Sequence, residues 1–204
     1  LIAFTIEEAL KSKLIDDYIV STDSDEIMKV ANKFGALTPF KRPKKISSDK
    51  ASSASALQHA VNFMEKNNNK KYDYVVELMC TNPLKNVDDI DNSIKEIISK
   101  NADSVIAVHQ LEDHHPARIK KLVNGYIVDF CIEEPNEARR QDLKPKAYIR
   151  SGSIYCMRRD YLMEQNKRYG GDNSIGYILP PERAINIDTI NDFKLAEIII
   201  AKNI

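Results

Sequence analysis

The sequence predicts an α/β fold with a mainly parallel sheet flanked by helices. Apolar runs of strand length alternate with helical patterns over most of the 204 residues. Residues 72–79 and 103–110 are predicted as buried strands on either side of a helical stretch at 82–102, which is the pattern of a β-α-β unit with parallel strands. The chain is also 43% apolar, which is enough for one domain with a core and a small appendage.

Five elements are predicted before residue 72. They are a helix at 1–12, a strand at 16–22, a helix at 23–36, a polar loop at 38–53 and a helix at 56–67. Asp23 or Ser24 caps the second helix and Gly35 ends it, because short oxygen-bearing side chains favour the N-cap and glycine favours the position after the last turn. The first helix has no cap before it, so we expect a longer polypeptide upstream.

After residue 110 the pattern changes to that of a small lobe. Residues 119–130 predict a hairpin around Asn124 and Gly125, a pair typical of a type I′ turn. We therefore predict a core at 1–110, a lobe at 111–150 and a return to the core at 151–204. The last part is expected to hold a strand with a short helix, an extended segment at 175–180, a final strand at 184–188 and a helix at 189–201.

Composition excludes several classes of partner. Thirty basic and thirty acidic residues cancel, so no net positive field favours nucleic acid or an anionic membrane surface. No apolar run reaches the roughly 20 residues that a membrane-spanning helix needs. The three cysteines are far apart and form no CxxC pair, which favours a reducing compartment. We predict a cytoplasmic protein that binds neither nucleic acid nor a membrane.

Asp188 is the first candidate for chemistry. In a strand at 184–188, Asn186 and Asp188 share one face because side chains alternate, and ligands of α/β folds collect beyond the carboxyl ends of strands. A carboxylate and an amide oxygen suit Mg²⁺. The alternative is structural, since Thr189 and Asp192 match a capping box that Asp188 would only lead into.

The loop at 38–53 is the second candidate. Arg42 and the neighbouring lysines could bind a polyphosphate, Arg42 through its planar fork of donors. Small residues before the next helix could bring backbone groups to the edge of a base. The alternative is a solvated run of charges, which suits the lysines better than Arg42 beside Pro43.

Two pairs of adjacent residues carry weaker signals. Arg139 and Arg140 lie in an irregular segment and could bind a carboxylate or a phosphate, but they cannot both face the same way, and a surface salt bridge is an equal alternative. His114 and His115 would also diverge in an extended chain, which favours a solvated turn over a metal site.

A series of stretches, in order along the chain, resembles the acylneuraminate cytidylyltransferases, which include the CMP-sialic acid synthetases and their legionaminate-type relatives. The stretches are LIAFTIEEAL, IVSTDSDEI, FKRP with SSDKASS, TNPLK, DHHP, ARRQD, SGSIY and INIDTINDFKLAE. The resemblance implies a Rossmann-like sheet of the nucleotide-diphospho-sugar transferase type with a hairpin dimerisation lobe. It also implies transfer of CMP from CTP to a nonulosonic acid with release of pyrophosphate, a Mg²⁺ cofactor and a homodimer.

The same resemblance implies roles for individual residues. Arg42 would contact the triphosphate, and Ala51 and Ser53 would contact the edge of the cytosine. Asp188, together with Asn186, would bind Mg²⁺. The sugar pocket would contain Met79, Arg118, Arg140, Gln141 and Tyr155, with Arg118 and the lobe reaching into the site of a partner subunit.

The sequence departs from the family pattern at several positions. Met79 and Lys85, in MCTNPLK, replace the Gln and Arg of the QPTSPLR segment in members that activate sialic acid, which argues against N-acetylneuraminate as the substrate. Ile149 intervenes before Arg150 in YIRSG, and Asn186 stands where the family has a first Asp. The family's first strand and glycine-rich loop would precede residue 1, so we expect these 204 residues alone to be inactive.

Alternative functions remain open from the sequence. A GT-A-like glycosyltransferase would use Asp23 and Asp25 as a DxD metal motif and release a nucleotide, although both acids also suit the first turn of a helix. A non-catalytic binding relative would agree with Asn186 and the missing glycine-rich loop. Activation of 3-deoxy-octulosonate is the nearest variant of the same reaction.

Overall fold

The structure is a computed structural model that describes residues 1–135 and 139–202. Its α-helices are α1 (Ile2–Lys11), α2 (Asp25–Lys33), α3 (Ser53–Asn68), α4 (Val87–Ser99), α5 (Arg159–Gln165) and α6 (Ile190–Lys202). Its strands are β1 (Tyr74–Leu78), β2 (Ser104–Gln110), β3 (Lys120–Val123), β4 (Tyr126–Asp129), β5 (Tyr148–Arg158) and β6 (Ser174–Ile178). Residues 136–138 belong to the predicted lobe and residues 203–204 to the predicted return to the core. Both ranges lie outside the described residues.

The predicted α/β fold is confirmed, but the sheet is mixed rather than mainly parallel. Its four strands lie in the order β1-β5-β2-β6. β2 and β6 pair in parallel, whereas β5 lies antiparallel between β1 and β2. The reason is local, because the chain leaves β2 at Gln110 and returns directly opposite at Tyr148. The described residues between the two strands contain no α-helix that would carry the chain across the sheet, and antiparallel neighbours need no such crossover.

Helices cover both faces of this sheet. On one face, Val105 of β2 and Ile154 and Cys156 of β5 pack with the apolar side of α4. On the other face, Tyr155 and Met157 of β5 pack with α3 and α5. Neighbouring residues of β5 thus serve opposite cores, as the period-two alternation of a strand requires. Among the described residues, no helix is long and apolar enough to cross a membrane.

The predicted strand at 16–22 forms only two isolated bridges. Ile19 pairs with Leu37 and Thr22 with Lys41, both in parallel. The N–H of Val20 donates to the Leu37 carbonyl at 2.8 Å. The next bond of a parallel ladder needs the N–H of residue 39, which is Pro39 and has none. The predicted strand is therefore wrong because its neighbour cannot complete the ladder.

The predicted last strand at 184–188 is also absent from the structure. Leu179 follows β6 and still donates its N–H to the carbonyl of Val108, but Pro180 and Pro181 come next, and since proline has no N–H to donate, the ladder ends. A short 3₁₀ helix then forms at Pro181–Arg183. Residues 184–188 are then irregular. They are held by the N–H of Ile187, which donates to the carbonyl of Thr81 at 2.8 Å.

The lobe contains the predicted hairpin. β3 and β4 pair antiparallel with Val123 opposite Tyr126. Asn124 and Gly125 between them have φ values of 52° and 86°, which confirms the predicted type I′ turn. The sheet of the core resumes at Tyr148, inside the range 111–150 that was predicted for the lobe.

Candidate active site

The loop after β1 is organised around a buried lysine. Lys85 is 2% exposed, and its Nζ donates to the carbonyl of Met79 at 2.7 Å, to Oγ1 of Thr5 at 3.0 Å and to the carbonyl of Asn82. These three acceptors match the three donors of an ammonium group. Burial nevertheless lowers the pKa of Lys85 to about 7, because desolvation disfavours the charged form. Lys85 therefore fixes this loop from inside the protein.

This loop brings two other segments together. The carbonyl of Thr81 accepts the N–H of Ile187 at 2.8 Å, and Nδ2 of Asn82 donates to the carbonyl of Ser151 at 3.3 Å. The N–H of Met79 donates to the carbonyl of Ser153 at 3.0 Å. Segments 79–82, 151–155 and 186–188, predicted separately from the sequence, thus meet beyond the carboxyl end of β1, where ligands of α/β folds bind.

Asn186 and Asp188 face each other although they are not in a strand. Nδ2 of Asn186 donates to Oδ2 of Asp188 at 2.7 Å, and Asp188 is exposed. The predicted capping box is confirmed, since Oδ2 of Asp192 accepts the N–H of Thr189 at 2.7 Å and Oγ1 of Thr189 accepts the N–H of Asp192 at 3.3 Å. Asp192 performs the capping, so the carboxylate of Asp188 stays available.

The pair suits a hard cation only with help from a substrate. In the part of the chain that the structure describes, no group of three or more His, Cys, Asp or Glu side chains could hold a metal ion. Mg²⁺, however, commonly takes one or two carboxylates and completes its shell with water and phosphate oxygens. The Asp188 carboxylate fits that donor set, whereas Asn186 turns its amide N–H towards it and would have to rotate its side-chain amide to add an oxygen. The metal site stays a prediction.

Arg42 is anchored at the start of the polar loop. Its Nε donates to Oγ of Ser47 at 3.1 Å, its Nη2 lies 3.7 Å from Oδ1 of Asp23, and its N–H donates to the carbonyl of Thr22. The neighbouring Lys41 pairs with Asp25 at 2.6 Å. Asp23 and Asp25 therefore each face a cation, which does not favour their use as a DxD metal motif.

Ala51 and Ser53 lie at the N-terminus of α3, as the sequence predicts. The N–H of Ala51 donates to the carbonyl of Ser48 at 2.8 Å, and Ser53 is the exposed first residue of the helix. Oγ of Ser52 caps the helix by accepting the N–H of Ser55 at 3.2 Å. Their contact with a base stays a prediction.

The lobe borders a cleft of about 250 Å³, between the end of β2 and residues 140–147. Arg140 and Gln141 line this cleft. Nη1 of Arg140 donates to Oδ1 of Asp113 at 3.0 Å, whereas Arg139 pairs with Asp142, so the two arginines diverge as predicted. The remaining lobe residue, Arg118, lies 3.8 Å from Glu134.

The two histidines of the lobe also diverge. His114 is exposed, whereas His115 is 5% exposed and lies 2.8 Å from the carbonyl of Pro145 through Nε2. Nδ1 of His115 accepts the N–H of Ala117 at 3.3 Å, so Nε2 carries the ring proton and donates it to the Pro145 carbonyl. His115 is therefore a structural residue.

Tyr155 and Met79 lie on the face of the sheet that α3 and α5 cover. Tyr155 is only 7% exposed, because Arg168 and Tyr169, from the segment between α5 and β6, cover its ring. The sequence analysis did not identify Arg168, Tyr169 or Glu77, the carboxylate that pairs with Arg168. The available signal was Glu77 itself, the one charged residue of the strand YVVEL.

This chain is similar to several known proteins. The family described as Cytidylyltransferase matches residues 1–174. The chain is 32% identical to the pseudaminic acid cytidylyltransferase of Campylobacter jejuni subsp. jejuni serotype O:2, over all of this chain and 86% of that protein. It is 29% identical to the CMP-N,N'-diacetyllegionaminic acid synthase of the same organism, over 98% of this chain and 84% of that one.

A solved structure shows the same fold. The CMP:2-keto-3-deoxy-manno-octonic acid synthetase complexed with CTP superposes with a TM-score of 0.66, over 98% of this chain and 87% of that one. The two sequences are 16% identical, so this likeness concerns the fold alone.

Proposed function

The chain belongs to the cytidylyltransferase family, and on this premise we propose that it transfers CMP from CTP to a nonulosonic acid. The anomeric hydroxyl of the acid attacks the α-phosphorus of CTP, an oxygen–phosphorus bond forms, and pyrophosphate leaves. The relatives named above are described as acting on pseudaminic and legionaminic acids. Substrates of that class, rather than N-acetylneuraminate, also agree with Met79 and Lys85 in the loop after β1.

One observation carries the proposal. The loop after β1, the middle of β5 and the segment before α6 are joined by backbone hydrogen bonds, namely Ile187 to Thr81 and Met79 to Ser153. They place Asp188 and the 151–155 segment at one edge of the sheet. A displacement at phosphorus depends on positioning and on neutralising charge, and this edge can supply both.

Each predicted residue has a part in this reaction. Asp188 and Asn186 would hold Mg²⁺, which when bound neutralises charge on the phosphates. Arg42 would bind the triphosphate through its guanidinium, which is partly exposed and already oriented by Ser47. Ala51 and Ser53, at the start of α3, would contact the cytosine edge.

The sugar would lie towards β5 and the lobe. The residues proposed to surround it are Met79, Arg118, Arg140, Gln141 and Tyr155. Arg118 and Arg140 pair with carboxylates of their own chain, and exposed pairs of this kind are weak enough to exchange for a substrate group.

We also propose that the protein is a cytoplasmic homodimer that uses the lobe as its interface. Leu122 and Ile127 are register partners on one face of the hairpin and are 73% and 71% exposed. A two-stranded ribbon with an apolar exposed face is marginal alone and is stabilised when a second surface covers it. The cytoplasm is supported by the free state of Cys80, Cys131 and Cys156.

A pyrophosphate-release assay on the expressed full-length gene product tests the proposed reaction. The mixture contains CTP, Mg²⁺ and, in separate runs, pseudaminic, legionaminic and N-acetylneuraminic acids. We expect pyrophosphate and a CMP-sugar with pseudaminic or legionaminic acid, and little with UTP in place of CTP. Binding of CTP without pyrophosphate from any acid would instead support a non-catalytic relative.

A further inference from the structure

A layered cluster of aromatic and charged side chains lies on the α3 and α5 face of the sheet. Tyr155 of β5 is the register partner of Glu77 of β1, so the two side chains share this face. The guanidinium carbon of Arg168 lies 4.7 Å from the centroid of the Tyr155 ring. Nη1 of Arg168 donates to Oε2 of Glu77. Arg168 thus covers Tyr155 and pairs with its neighbour at the same time.

A second aromatic–arginine layer completes the cluster. The Tyr169 ring lies 5.6 Å from that of Tyr155, with an angle of 36° between their planes. The guanidinium carbon of Arg150 lies 4.7 Å from the Tyr169 centroid, and Nη1 of Arg150 donates to the Tyr169 hydroxyl. Tyr155 is buried and Arg150 is exposed. The group that this cluster presents outward is therefore Arg150.

The charges in the cluster do not balance. Glu77 and Arg168 form a pair whose side chains are 14% and 18% exposed. Within residues 1–135 and 139–202, no carboxylate oxygen lies within the 4.0 Å of a salt bridge from the Arg150 guanidinium. Two guanidinium groups thus face one carboxylate. The excess positive charge belongs to Arg150, which keeps donors free for an anion.

We infer that Arg150, held by Tyr169, binds the carboxylate of the nonulosonic acid, and that Tyr155 supports this site from beneath. A guanidinium stacked on an aromatic ring loses little freedom when it binds, and its planar fork matches a carboxylate. Arg168 cannot take this role because Glu77 occupies it. The inference rests on the proposed function and adds a substrate-binding residue to it.

The position of Arg150 agrees with such a role. It lies on β5 opposite Val108 of β2 and next to Ser151, whose carbonyl accepts Nδ2 of Asn82. The cluster is therefore continuous along β5 with the edge of the sheet where Asp188 lies. A carboxylate bound at Arg150 would orient the acid, and the residues around Asp188 would hold the CTP that reacts with it.

The test compares Arg150→Gln, Arg150→Lys and Tyr169→Phe with the wild type in the pyrophosphate assay. Arg158→Gln is the matched control, because Arg158 is an arginine at the opposite end of the same strand. We expect Arg150→Gln to raise the KM for the acid about 10- to 100-fold, the range of a charge-assisted hydrogen bond, and to leave the KM for CTP within about twofold. Arg150→Lys and Tyr169→Phe should give smaller rises.

Titration calorimetry of the acid against the enzyme provides a readout without turnover, and the Kd is expected to rise with the KM. An unchanged KM for the acid in Arg150→Gln, in an active enzyme, overturns this inference and leaves the proposed function standing. A rise in the KM for CTP alone would assign Arg150 to the triphosphate and would also overturn it. Absence of pyrophosphate release by the wild type with every acid would overturn both proposals.

Discussion

Nδ2 of Asn186 donates a hydrogen bond to Oδ2 of Asp188 across 2.7 Å. The amide oxygen of Asn186 consequently points away from the carboxylate and towards Gly152, where a Cβ would lie 3.4 Å from it. Gly152 has a φ of 70°, a backbone conformation that residues with a side chain rarely adopt. Asn186 and Asp188 are thus joined by a hydrogen bond, and the Asn186 side chain packs against Gly152, a position of β5 that favours glycine.

The first prediction separates metal binding from helix capping. Asp188→Ala is expected to lower turnover at least about 100-fold, which corresponds to roughly 2.7 kcal/mol of activation free energy. Asp192→Ala is the matched control, because it removes the carboxylate that caps α6 and keeps Asp188. The control is expected to lose about 1 kcal/mol of stability and to keep nearly normal turnover. A near-normal rate in Asp188→Ala would return Asp188 to a structural role.

The second prediction concerns the missing charge at position 186. Asn186→Asp places two carboxylates where the structure has a carboxylate and an amide, and a second negative charge attracts a divalent cation more strongly. The Mg²⁺ concentration for half-maximal pyrophosphate release is therefore expected to fall. A Mg²⁺ titration of wild type and variant measures it, and an unchanged requirement would place Asn186 outside the coordination shell.

The third prediction follows from the buried amine of Lys85, whose folded pKa is lowered to about 7, against about 10.4 for an exposed lysine. Between these values the unfolded chain binds a proton that the folded protein does not, so Lys85 makes the free energy of unfolding rise with pH from about 7 to about 10, by up to about 1.4 kcal/mol per pH unit. Below about pH 7 this slope disappears, since both states are protonated.

Urea unfolding at pH 6.5, 8 and 9.5 measures this effect. Lys85→Met removes the titrating group, so the stability of the wild type relative to the variant should increase as the pH rises through this window. Lys95→Met, an exposed lysine of α4, is the control for loss of a lysine side chain. Parallel curves for wild type and Lys85→Met would show that Lys85 is charged in the folded protein throughout.

Local signals in the sequence predicted local structure well. Gly35 after α2, the turn at Asn124 and Gly125, and the box at Thr189 and Asp192 each depend on residues within a few positions of one another. For the same reason the helix boundaries, set by caps and glycines, were close to those observed. Signals of this kind need no knowledge of the rest of the fold.

Features that depend on a distant partner were not predictable in the same way. The segment at 16–22 has the composition of a strand, but Pro39 in its neighbour has no N–H for the ladder. The direction of β5 depends on where the lobe returns the chain to the sheet. The contact between Glu77 and Arg168 joins residues 91 positions apart, so the residues around Tyr155 became visible only in the folded structure.

The fourth prediction concerns the ion pair that precedes the Asn186 segment. Nε and Nη2 of Arg183 each donate to a carboxylate oxygen of Asp89 at 2.9 Å, and Asp89 is 1% exposed. Asp89→Asn breaks this half-buried pair, in which the Arg183 side chain is 33% exposed, and is expected to lower the free energy of unfolding by about 2 kcal/mol, the range of a hydrogen bond to a charged group. Asp88→Asn, at the exposed neighbouring position of α4, is the control. Equal unfolding midpoints for the two variants in urea would contradict the prediction.

The fifth prediction tests the lobe as a homodimer interface. Ile127 and its register partner Leu122 lie on one exposed face of the hairpin, so Ile127→Lys should leave the fold intact while placing a charge in the contact between two copies. Light scattering coupled to size exclusion is expected to show a dimer for the wild type and a monomer for Ile127→Lys. Leu37→Lys is the control, because Leu37 is 63% exposed and lies outside the lobe. A dimer that survives Ile127→Lys and dissociates in Leu37→Lys would move the interface away from the hairpin.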